Sequence, residues 1–207
     1  MAIDLQGQVG PQVLQDGATQ AVRMGHTGEL SVAEVHARYY ESTYRRGNMT
    51  AYASGATVSA ASTTATGLIL LNPYNNNKNL VLQKTSGFVT ATSASMTGIV
   101  LGYFVQGQTN ITGPTAITIV PNFLSASSGA TGIAYSAATI ANAPVGMYPL
   151  LHNTAAINTT GEDAGWDIDL EGSILVPPGY GVMHFALGAA SAASAVTLML
   201  SWEETAV

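Results

Sequence analysis

Residues 165–187 decide the fold, and their sequence is GWDIDLEGSILVPPGYGVMHFAL. From residue 166 to residue 171, apolar and acidic residues alternate, which is typical of a strand with one buried and one exposed face. The acidic positions are Asp167, Asp169 and Glu171, and the apolar positions are Trp166, Ile168 and Leu170. Pro177-Pro178-Gly179 then indicates a turn, and the apolar run 181–187 predicts a second strand. Two strands around such a turn indicate an antiparallel sheet.

Short apolar runs and turn-forming connectors recur along the rest of the chain, without a convincing helix between them. The predicted strands are Thr64–Leu71, Leu80–Lys84 with an extension to Thr92, Thr97–Gln106, Ala116–Val120, Gly165–Val176, Gly181–Leu187 and Val196–Trp202. Many short strands at this spacing predict an all-β chain. The expected architecture is an antiparallel β-sandwich of the jelly-roll type.

The chain is predicted to consist of an N-terminal arm, residues 1–47, and a β-sandwich domain, residues 48–207. The start of the arm is polar and rich in glycine, which favours an extended conformation. Within 31–45, Ser31 and Glu34 fit a capping box and predict a short helix. The tyrosines of the same segment favour an extended strand instead. Residues 121–164 are less regular and are interpreted as an elaborated loop or an insertion.

Charge is distributed very unevenly over the sequence. Residues 47–161 contain only two charged side chains, Lys78 and Lys84, whereas residues 162–207 contain seven acids and no base. The surface of a free monomer normally carries mixed charges, and the cores of protein interfaces are poor in charge. We therefore expect neighbouring subunits to cover much of the surface. The alternative is an extracellular β domain with a Thr- and Ser-rich face.

Several classes of function are not expected. Six basic residues in a chain of net charge −6 argue against nucleic-acid binding, which needs clustered cations. The first residues resemble no signal peptide. The longest apolar runs, Gly67–Leu71 and Gly98–Val105, are far shorter than the roughly 18 residues of a spanning helix, so no membrane partner is expected.

The sequence carries little that points to catalysis. There is no cysteine, and the common nucleophile and phosphate-loop motifs are absent. The histidines His26, His36, His152 and His184 form no metal-binding pattern. Strand alternation places His184 opposite Met183 and Phe185, as either a hydrogen-bonded or an exposed histidine. We expect no enzyme activity and no cofactor.

Two groups of residues are candidates for contacts. The row Asp167, Asp169 and Glu171 is first interpreted as a solvated strand face, then as a subunit contact, and only third as a Ca²⁺ site, because it lacks the pattern of a calcium loop. Tyrosine and arginine are favoured at interface centres. This predicts a contact formed by the arm residues Arg38, Tyr39, Tyr40, Tyr44, Arg45 and Arg46. Trp166 and Trp202 are expected in the core.

Three stretches resemble virion proteins of tailed bacteriophages. They are Gly28–Asn48, the segment from Thr66 to Leu82, and Ile174–Glu204, of which the last is similar to the final hairpin of jelly-roll capsid decoration, or cement, proteins. The resemblance implies a homotrimer that binds the major capsid protein on the outer shell and stabilises capsomer contacts. It also implies synthesis in the host cytoplasm and a place on the capsid surface of the virion.

Two alternatives remain open. A tail-fibre or receptor-binding lectin-like module would use the loop aromatics Tyr74, Tyr135 or Tyr148 together with the Asn-rich turn 75–77. A hydrolase would require His184 or His152 to meet one of the late carboxylates in a pocket.

Overall fold

The computed structural model describes residues 48–91, 98–122, 124, 129–152, 165–187 and 195–206. The arm, its predicted helix within 31–45 and its predicted contact residues lie outside this part of the chain. All described residues belong to one unit, residues 41–207.

The described residues form eleven strands and no helix. The strands are β1 Met49–Thr57, β2 Thr64–Leu71, β3 Lys78–Ala91, β4 Gly98–Val105, β5 Thr112–Ile117, β6 Ile119–Pro121, β7 Ile133–Thr139, β8 Val145–His152, β9 Gly165–Val176, β10 Tyr180–Leu187 and β11 Ala195–Ala206. They build two antiparallel sheets, with strand orders β6-β1-β11-β3-β9 and β5-β7-β2-β10-β4-β8. The predicted antiparallel β-sandwich is confirmed.

Eight of the strands pair in jelly-roll order. Strand β1 pairs with β11, β2 with β10, β3 with β9, and β4 with β8, so that the first strand meets the last and the fourth meets the fifth. This is the pairing of one long antiparallel ribbon rolled into two sheets. Strands β5, β6 and β7 are an insertion between β4 and β8, and they extend both sheets.

The structure corrects the prediction for residues 121–164. Strand β7 lies inside the six-stranded sheet between β5 and β2, and β8 is its edge strand beside β4. The inserted strands therefore span 112–139, earlier in the chain than predicted. The single strand predicted for Ala116–Val120 is two strands, because the chain passes at Thr118 from the six-stranded sheet to the five-stranded sheet.

The main core lies between the two sheets. Its largest fully buried side chains include Trp202 and Leu198 from β11 and Leu68 from β2. Trp166 on β9 is also buried, so both tryptophans occupy the core as predicted. Burial of such side chains stabilises the fold by roughly 1.5–3 kcal/mol each.

A second apolar cluster is centred on the outer face of the six-stranded sheet. Its buried members are Ala65, Ile69, Leu71, Val100, Phe104, Ala138, Ile140, Met183 and Phe185. Strand β10 therefore buries both of its faces, with Val182 in the main core and Met183 in the outer cluster. This explains its nearly continuous apolar sequence.

Two phenylalanine rings of the outer cluster lie over glycines of neighbouring strands. A Cβ added to Gly102 would lie 2.5 Å from the ring of Phe185, and Phe104 covers its cross-strand partner Gly181 in the same way. A glycine weakens a strand, and an aromatic ring packed over it restores part of the lost contact. The glycines are therefore part of the packing on this face.

We expect Gly102→Ala to lower the free energy of unfolding by about 1–3 kcal/mol. The new Cβ would meet the Phe185 ring and, at 2.6 Å, the main-chain oxygen of Val145, which cannot rotate away. Gly146→Ala is the matched control, because its Cβ would lie at an ordinary 3.5 Å from the same ring. Urea unfolding of both variants tests this, and equal losses would contradict the proposed packing.

Candidate functional site

All charged side chains of the described residues lie on three adjacent strands of the five-stranded sheet. These are Lys78 and Lys84 on β3, Asp167, Asp169 and Glu171 on β9, and Glu203 and Glu204 on β11. The described six-stranded sheet contains no Lys, Arg, Asp or Glu in any strand. One sheet thus carries all of these charges, and the described strands of the other carry none.

The uncharged sheet exposes apolar side chains along its β4–β8 edge. This edge patch consists of Tyr103, Val105, Val145, Met147 and Tyr148, each more than a third exposed. Strand β8 is the last strand of the described sheet. It contains Pro149, which cannot donate to a further strand and so discourages continued pairing there. This edge therefore favours contact with another molecule through side chains over the pairing of a further strand.

A groove of about 780 Å³ lies at one end of the same sheet. The lining of this tyrosine groove comes from Leu71, Pro73, Tyr74, Asn75, residues 106–111, Ile133 and Tyr135. None of these residues carries a charge at neutral pH. Burial raises the pKa of the Tyr135 phenol, which therefore stays protonated.

The β2–β3 turn forms one wall of the tyrosine groove and is held by a buried amide. The side chain of Asn72 donates to the carbonyl oxygens of Lys78 and Val176, both at 2.8 Å. The main chain of Asn72 also pairs with that of Tyr180 and accepts from the amide of Gly179. This fixes the turn that carries Tyr74 and Asn75.

The 106–111 segment forms a second wall and is also held by a buried amide. Gln106 Oε1 accepts from the amide of Ala141 at 2.9 Å, and its Nε2 donates to the carbonyl of Thr109 at 2.7 Å. The amides of Gln106 and Gly107 both donate to the carbonyl of Gly179. Three turns are thus joined at one end of the sheet, and the groove is largely preformed.

Two of the three loop tyrosines named from sequence meet in this groove. Tyr74 and Tyr135 line it together with Asn75. Tyr148 lies on β8 in the edge patch and does not line the groove. Sequence reasoning missed Gln106 and Gln108, because neither lies in a recognisable motif.

The predicted acidic row is exposed on β9, as its alternation indicated. Asp167 forms an ion pair with Lys84, with 2.9 Å between Oδ1 and Nζ. Within the part of the chain that the structure describes, no three His, Asp or Glu side chains come together to hold a metal ion. The geometry therefore gives no support to calcium binding at Asp167, Asp169 and Glu171.

His184 lies fully buried between the sheets. Its Nε2 is 3.0 Å from Oγ1 of Thr85, and its ring is 6.1 Å from that of Trp166. Its Nδ1 faces the main chain of Leu68 and makes no hydrogen bond of good geometry with a described residue. Burial lowers the pKa of His184 to about 4, with a small opposing effect from the main chain of Leu68. Among the described residues, no carboxylate pairs with His184 as a hydrolase would require, and the side chain of His152 is not described.

We expect His184 to make the protein less stable in mild acid. Its pKa is about 4 when folded and 6.5 when unfolded, so between these values the unfolded chain binds the extra proton. The free energy of unfolding should therefore fall by about 3 kcal/mol as the pH drops from 7 to 4. Thermal unfolding across this range tests it. His184→Gln should reduce the slope, and an unchanged slope would contradict the assignment.

Glu204 forms a network that the sequence did not reveal. Its carboxylate accepts from the amides of Thr131 and Gly132 at 2.8 and 2.9 Å and from the hydroxyl of Thr131 at 2.7 Å. Lys78 Nζ is 3.2 Å away. Burial alone would raise the pKa of Glu204, but these hydrogen bonds outweigh it and lower the pKa. Asn76 donates to the Thr131 hydroxyl at 2.9 Å, which links the network to the β2–β3 turn.

The fold and this surface define the class of the protein as a jelly-roll β-sandwich with one uncharged sheet. No family model, curated protein or solved structure matches the chain. In the described residues, no helix has the length and apolar character needed to cross a bilayer.

Proposed function

We propose that the protein is a structural protein of a phage virion, a capsid decoration protein that binds the outer shell as a homotrimer and stabilises contacts between capsomers. The observation that carries the proposal is the uncharged six-stranded sheet with its apolar edge patch. A surface without charge is costly for a free monomer and is typical of a subunit contact.

The jelly-roll order of the strands is compatible with this role. Viral capsid proteins are among the classes that use this fold, although the fold alone does not assign a function. The sequence resemblance described above supports the shell-binding and trimeric parts of the proposal. The arm, residues 1–47, would reach neighbouring subunits through Arg38, Tyr39, Tyr40, Tyr44, Arg45 and Arg46.

The two kinds of surface have different roles in this proposal. The edge patch joins copies of the chain, and the exposed charges of the other sheet, chiefly Asp167, Asp169 and Glu171 on β9, stay in solvent and keep the assembly soluble. Contacts made by uncharged side chains are not weakened by salt screening. The association of the copies through this patch should therefore persist at high salt.

Gold-labelled antibody against the chain tests the proposal on phage particles released from cells that carry its gene. The particles are purified and washed in physiological buffer before labelling. We expect label distributed over the head shells. Washed particles without label would contradict the proposal, and label confined to the tail would overturn the decoration role in favour of a tail-fibre module.

A further inference from the structure

We propose that the tyrosine groove is a binding site for a neutral oligosaccharide. This site lies at the turn end of the six-stranded sheet and goes beyond the proposed structural role, because it requires neither the trimer nor the capsid. Its volume of about 780 Å³ lies within the range of small-molecule sites.

The groove offers an aromatic surface of the kind that packs against the apolar face of a sugar ring. Tyr74 is 55% exposed. Its ring is supported from below by Gly179, where an added Cβ would lie 3.1 Å from Tyr74 Cδ2. A supported yet exposed ring can contact a ligand with little loss of side-chain entropy. Tyr135 adds a second ring to the lining.

The groove also offers free amide groups beside the rings. Asn75, Gln108 and Asn110 are exposed and line the groove. Their side chains form no hydrogen bond with any other described residue. Each amide has two donors and one acceptor oxygen, which matches the alternating donor and acceptor character of sugar hydroxyls. Asn72 and Gln106, by contrast, are fully used in holding the walls.

The absence of charge selects among ligands. No described residue of the lining is ionised at neutral pH, so a sialylated or sulfated saccharide would leave its charge unpaired in the groove. A peptide is also less suitable. The main-chain amides of Asn76, Gln106 and Gly107 at the groove walls already donate within the turns. A neutral saccharide needs neither an ionic partner nor an open strand edge.

The test is isothermal titration of the full-length protein with a panel of neutral oligosaccharides of glucose, galactose, mannose and their N-acetylated amines. Sialylated and sulfated members form a second panel. We expect saturable binding to at least one neutral member and weaker binding to its charged derivative. No saturable binding to any neutral member at millimolar concentration would overturn the proposal, as would a preference for the charged form.

Three variants place the binding in the groove. Tyr74→Ala should weaken the affinity about tenfold or more, and Tyr74→Phe should retain it because the ring remains. Tyr52→Ala is the matched control, since Tyr52 is 56% exposed on β1 of the other sheet. A loss of affinity in the control, or full affinity in Tyr74→Ala, would place the binding elsewhere and overturn the assignment. The antibody labelling of phage particles tests the structural role, and its result does not depend on whether the groove binds a saccharide.

Discussion

Glu204→Gln is expected to lower the free energy of unfolding by about 3 kcal/mol. The Glu204 side chain is only 2% exposed, and its two oxygens accept from two backbone amides, one hydroxyl and one ammonium group. A glutamine has one acceptor oxygen and places an NH₂ group against these donors. At least one buried donor therefore loses its partner, and such a loss costs about 1–3 kcal/mol.

The matched control for Glu204→Gln is Asp167→Asn. Asp167 forms its ion pair with Lys84 on the surface, where both side chains are well exposed, and such pairs contribute about 0–1 kcal/mol. Chemical unfolding at pH 7 measures both variants. A loss below about 1 kcal/mol for Glu204→Gln, or equal losses in the two variants, would show that the network does not hold the 129–132 segment.

The network also has a pH signature. The lowered pKa of Glu204 means that its stabilising effect is present above the unfolded value of 4.5 and is lost as the pH falls through the lower folded value. The free energy of unfolding of the wild-type protein should therefore fall in this acidic range. The decrease should be smaller in Glu204→Gln. This window begins near 4.5 and overlaps the lower end of the one assigned to His184, so comparison of Glu204→Gln with His184→Gln separates the two effects.

The double variant Val145→Lys/Met147→Lys is expected to convert the assembly into single chains. Both positions lie in the edge patch on β8, and Val145 is 55% exposed. Two ammonium groups in an apolar contact would be desolvated without a partner, which costs several kcal/mol per group. Because both side chains are exposed in the single chain, the separated chains should still fold.

Leu175→Lys is the control for the edge patch. Leu175 is 52% exposed on β9, within the charged group of strands, where one more cation should leave the assembly intact. Sedimentation velocity of both proteins compares their masses. If the double variant kept the wild-type mass, or if Leu175→Lys dissociated equally, the edge patch would not be the contact.

Strong local patterns predicted the strands that carry the fold. The bounds of β2 and β9 agree with the prediction, because β9 alternates between core and solvent and β2 is a compact apolar run between turn signals. The position of His184 opposite Met183 and Phe185 was also predicted correctly. The sequence did not show whether His184 is buried. Both faces of β10 are apolar, so the strand has no alternation that reveals which face lies in the core.

The strands that were missed have weak local patterns. Strand β1 is rich in Ala, Ser and Thr, and β8 contains Gly146 and Pro149, which normally indicate turns. A proline is acceptable in β8 only because this is an edge strand, and that position follows from the strand order. Pattern reasoning therefore placed β8 in an irregular insertion.

The candidate site could be predicted only in part, because its residues are far apart in the chain. Tyr74 and Tyr135 were named from sequence, but strand order alone brings them to one groove and takes Tyr148 to another edge. The partners of Glu204 lie more than seventy residues away from it. No local spacing rule could have indicated that network.

The solution mass of the 207-residue protein decides whether the uncharged sheet joins copies of the chain. Light scattering at tens of micromolar chain should give a single species with three times the 21.3 kDa of one chain. The mass should not change in high salt, because the edge patch contains no charged side chain. A uniform species of 21.3 kDa at the same concentration would contradict the claim that the uncharged sheet is a contact between subunits.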